Sequence, residues 1–75
     1  MEFTSIKNKH THNNVCSQYL HKEIDMNKSK FIIGEHMLIV YKSGSFFSHE
    51  IIISMDFIDV GAIRIETTHK IWIIS

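Results

Sequence analysis

The chain has 75 residues, eight lysines or arginines against eight aspartates or glutamates, and one cysteine, Cys16. A folded chain of this size buries only roughly 60% of the surface its unfolded state exposes, so the core is small. A lone cysteine excludes an intramolecular disulfide and fits a reducing compartment, and a single arginine, Arg64, argues against a phosphate-binding face.

Residues 1–13 are polar and carry no sustained period, which suits a flexible arm or a short first strand around Phe3 to Ile6. Met1 to Ser5 lack the apolar run of a secretory signal, and no apolar stretch approaches the ~20 residues of a membrane span, so a cytoplasmic protein with no membrane contact is expected. Over residues 14–27, Val15, Cys16, Tyr19, Leu20, Ile24 and Met26 recur at roughly helical spacing, with Asn14 as N-cap and Asn27 as stop. This predicts one helix of about three turns.

Residues 31–41 are rich in β-formers and apolar on both faces, as in an internal strand, with Gly34 as a bulge. After a turn at Lys42-Ser43-Gly44-Ser45, the chain alternates: Phe47, His49, Ile51, Ile53, Met55 and Phe57 share one face. That face reads as the core side and makes His49 a core histidine. Ser48, Glu50, Ser54 and Asp56 point the other way, interrupted by Ile52. Asp59-Val60-Gly61 turns into a strand from Ala62 to Thr67, and Thr68-His69-Lys70 into a last strand, Ile71-Trp72-Ile73-Ile74. So apolar a terminal strand must pair within a sheet or dock on a partner. The expected fold is α+β: residues 1–75 as one domain, the helix over 14–27 packed on a three- to four-stranded antiparallel meander over 31–75.

Six histidines are the most unusual compositional feature. His10, His12, Cys16 and His21 offer the residue types of a tetrahedral zinc site, although no spacing with paired cysteines can be written. Zinc is therefore a secondary expectation, set against the simpler reading of solvated histidines and a core cysteine. No glycine-rich phosphate loop exists, and no nucleophile is placed beside a base and its orienting group, so a non-catalytic protein is expected.

Lys42-Ser43-Gly44, followed by the alternating strand and then Asp56, resembles the first half of the Sm-like pattern over about a third of the chain. Subunits of that family form rings through edge strands and bind RNA, so the resemblance implies an oligomeric RNA-binding module as the alternative function. The main expectation is a small interaction module that binds a larger protein, with Tyr19, Tyr41 and Trp72 as aromatic anchors and an edge strand available for a homodimer. Small size, little chemistry and the Ile-, Asn- and Lys-rich, proline-free composition of an AT-rich genome are shared by phage and mobile-element regulators, among them inhibitors of the anti-CRISPR type.

Overall fold

The computed structural model describes all 75 residues. Five strands form one curled antiparallel sheet: β1 (Phe3–Asn8), β2 (His36–Tyr41), β3 (Gly44–Asp59), β4 (Ala62–Thr67) and β5 (Lys70–Ile74), in the order β1-β5-β4-β3-β2. The α+β expectation is overturned. The chain's only helical segment is a single 3-10 turn, Ser17–Tyr19. No helix is long and apolar enough to cross a membrane.

Residues 14–27 form no helix but belong to a strap that runs on to Lys30, and the backbone hydrogen bonds explain why. On the β1 side, Val15, His21 and Ile24 donate their N–H groups to the carbonyls of Ile6, Phe3 and Met1 at 2.7 to 3.0 Å. Further along, Asp25 N–H donates to the Val40 carbonyl (2.8 Å), and Lys30 exchanges two bonds with Leu38 (2.9 and 3.0 Å) on the outer edge of β2. One segment thereby covers both outer strands. A helix would satisfy its own backbone and leave those edges bare. The apolar spacing suits either form, because Val15, Cys16, Tyr19, Leu20 and Met26 pack against the core and Ile24 enters it. Asn, Ser, Val and Cys are also weak helix formers, and a short helix must first overcome its nucleation cost. Positive φ at His12, Cys16 and His21 turns the strap along its path.

The last strand behaves as its composition implies. β5 lies between β1 and β4, paired to both, with Trp72 3% and Ile74 0% exposed. With Phe3, Ile6, Ile24, Met37, Ile39, Ile52 and Ile65 they form the core. The Trp72 ring tilts against Phe3 with centroids 5.2 Å apart, and its Nε1–H donates to Thr67 Oγ1 at 2.9 Å. The internal strand expected over residues 31–41 is corrected: β2 begins only at His36 and is an outer strand of the sheet, and residues 31–35 form a loop. Gly34 sits in a turn at φ +88, a conformation that favours glycine, and its N–H donates to the Ile52 carbonyl.

Candidate interaction surface on the long strand

Strand β3 is 16 residues long and serves two partners. Its first half pairs with β2 from Gly44 to Ile51, and its second half pairs with β4 from Ile52 to Asp59. The register slips between Ile52 and Ser54, and a bulge there changes which side chains point inward.

The alternation in the first half is inverted relative to the sequence expectation. Ser48 is 5% and Ile52 1% exposed, whereas Phe47 is 66%, Ile51 42% and Ile53 47% exposed. His49 is exposed as well, so it is not a core histidine. The inward polar side chains are held by specific partners. Ser48 Oγ accepts from Met37 N–H (3.0 Å) and donates to the Glu50 carbonyl (2.6 Å). The Glu50 carboxylate, its side chain 10% exposed, pairs with Lys70 and accepts from Thr67 Oγ1 (2.8 Å) and His69 N–H (2.5 Å). Burial alone would raise the Glu50 carboxyl, but the bonds from Lys70, His69 and Thr67 outweigh it and hold it below its ordinary range. This network ties β3 to the β4–β5 turn and leaves no buried side-chain polar atom without a partner.

The outward residues form an apolar surface. An open depression of about 770 Å³ is lined by Gly34, Glu35, His36, Phe47, Ser48, His49 and Ile51. Ile32 and Ile33, 47% and 61% exposed, precede Gly34 in the chain. Every exposed large hydrophobic side chain lies on β3, at its tip or in this adjoining loop. The outer face of β4 is different in kind: Arg64 faces Asp56 at 3.9 Å and Glu66 at 3.6 Å, and Lys9 reaches Glu66 at 2.6 Å. The Lys9 hydrogen bond holds the Glu66 carboxyl low. An ion-laced strip thus borders the apolar one.

The residues expected to bind metal are not brought together. His10 lies near His69, with ring centroids 6.1 Å apart, His21 faces Glu2 Oε1 at 3.3 Å, and Cys16 is free and half-buried. His12 is exposed. No group of three histidine, cysteine or carboxylate side chains is arranged to hold a metal ion. The reason is the strap: along an extended, turning path these positions diverge, whereas one helical face would have gathered His12 and Cys16.

Of the expected anchors, Trp72 is a core residue and offers no surface to a partner. Tyr19 and Tyr41 are half-buried around Phe46, with ring centroids 4.2 and 6.0 Å from it. Tyr41 donates its hydroxyl to the Tyr19 carbonyl at 3.1 Å, and burial, reinforced by Tyr19, pushes its phenol up to about 12. Both are therefore committed to the rim of the sheet. Phe47, Ile51 and Ile53, on the face that the alternation predicts to be the core side, are exposed instead. Six large apolar or imidazole side chains on one strand face are more than so small a core accommodates, and that surplus was the available signal. Comparison of the chain with protein-family models, curated proteins and solved structures gave no match.

Proposed function

We propose that the protein acts without catalysis, by laying the outer face of the first half of β3 against a larger protein. The observation that carries this reading is the exposure of Phe47 and Ile51 around one depression, with Ile32 and Ile33 exposed in the adjoining loop. Contiguous apolar surface of this kind on a small chain is the ordinary mark of a binding face, and an aromatic such as Phe47 is the typical anchor. The rim carries Glu35, His36 and His49, polar groups that suit the edge of a protein interface. Such a binder suits the role of an inhibitor that occupies a surface on its target, as phage and mobile-element regulators do. The Sm-like alternative receives no specific support: the strap covers the outer edges of β1 and β2, and the only open backbone edge is the short second half of β3.

Affinity capture from the native host provides the test. The wild-type chain should retain one dominant protein, and a Phe47→Lys, Ile51→Lys variant with unchanged circular dichroism should lose it. Equal retention by both chains would sink this reading. Binding of single-stranded RNA at moderate salt would favour the alternative.

A further inference from the structure

The second half of β3 differs from every outer strand of the sheet in how its backbone is served. On one side it pairs with β4 from Ile52 to Asp59. On the other, β2 reaches only Ile51, opposite His36, and the loop before β2 adds the two bonds of Ile52 with Gly34 and Glu35, at 2.8 and 2.9 Å. From Ile53 to Asp59 the side facing away from β4 has no backbone partner in the molecule. The same stretch exposes Ile53 (47%), Phe57 (84%) and Ile58 (52%), with Val60 fully exposed at the tip. An open row of N–H and C=O groups flanked by apolar side chains is a template for another strand.

We propose that this edge pairs antiparallel with the same edge of a second copy of the chain, making a two-fold dimer whose sheet is continuous across the axis. Four observations favour a second copy over a foreign peptide. A strand paired antiparallel with itself about a two-fold axis is self-complementary, so each copy supplies what the other lacks. The formal net charge is zero, so two copies do not repel at long range. The acids of this half-strand have partners of their own: Asp56 faces Arg64 at 3.9 Å, and Asp59 accepts from the Val60 N–H at 2.7 Å. Register slips at Ile52/Ser54 and Phe57/Asp59 confine regular pairing to a few residues, which closes a dimer and opposes an extended fibre. A contact this short belongs with interfaces burying less than about 1,200 Å² in total, so the dimer is weak and concentration-dependent.

This inference uses a different surface from the binding face proposed above, and the two fail separately. Sedimentation equilibrium on the intact chain, from about 10 µM to about 1 mM, should give a mass rising from 8.8 kDa toward twice that value. Ile58→Lys should weaken the dimer by about tenfold or more, since an edge lysine opposes strand pairing, while Phe47→Lys should leave it unchanged. A constant monomer mass would overturn the proposal, as would a dimer unaffected by Ile58→Lys. Should the variant lose its fold, hydrogen exchange on the unaltered chain decides the matter: amides between Ser54 and Asp59 must gain protection as concentration rises, and unchanged exchange there refutes the pairing.

Discussion

Two isoleucine-rich strands of this protein meet opposite fates. In β5, Lys70–Ile74, both backbone edges are paired and the alternate side chains Trp72 and Ile74 are sealed in the core. In β3, the equally apolar Ile51 and Ile53 face outward, and the second half of the strand is paired along one edge only. Apolarity alone did not decide burial. The difference lies in neighbours: β5 has a strand on each side, whereas β3 outruns β2 and turns its inner face to a polar network.

The contrast is sharpest for truncation. Trp72→Ala should cost about 3 to 5 kcal/mol, through the cavity it leaves and the loss of its bond to Thr67. Urea unfolding followed by circular dichroism measures it, and a cost below about 1 kcal/mol would mean that β5 is not the core strand described.

Glu50→Ala should cost about 1 to 3 kcal/mol, because it leaves the half-buried Lys70 without its counter-ion and removes the acceptor of the His69 N–H and of the Thr67 hydroxyl. The Glu50 and Glu66 carboxyls are held below the ordinary value of 4.5 in the folded protein. Their contribution to stability is therefore complete above that value and is lost as pH falls through the lower folded pKa. An acid titration of stability should show this decline, and Glu50→Gln should reduce it to the share that Glu66 contributes. A wild-type curve that stays level through that range would show that the network adds nothing.

Ser29→Ala probes the strap. Ser29 Oγ accepts from the Val40 N–H at 2.9 Å, so removing it should cost about 1 to 2 kcal/mol and speed hydrogen exchange at Val40. Unchanged exchange would show that the edge of β2 does not depend on this contact. At the alkaline end, Tyr41 is raised from 10.0 to about 12, so stability should fall as pH climbs between those values. Tyr41→Phe should remove that fall. At the foot of the scale, Phe57→Ala and Val60→Ala should change monomer stability by no more than about 0.5 kcal/mol, despite the size of the side chains removed. A larger loss in dilute protein would place these residues in a core.

Much of the sheet was legible from local signals. Turn residues at Lys42-Ser43 and Gly61, with β-branched and aromatic residues between them, marked the end of β2 and the extents of β3 and β4 to within a few positions, because turn chemistry and strand propensity act over adjacent residues, whereas β2 begins five residues later than its composition predicts. The C-terminal strand was legible for the same reason. The interaction surface was not: period-2 alternation separates two faces of β3 without labelling either as the inner one. Ser48 and Glu50 face inward because Met37, Thr67, His69 and Lys70 stand ready to bond them, and no local pattern announces those partners.

Local composition thus committed this chain to antiparallel strands and to an apolar final strand that had to be paired. Its fold made two choices that depend on residues far apart along the chain. The apolar spacing of residues 14–27 fits a helix or a strap, and the unpaired edges of β1 and β2 selected the strap by offering hydrogen bonds a helix would have forfeited. The side of β3 that meets water was set by the bulge after Ile52 and by the network around Glu50, contacts that exist only once the sheet has curled.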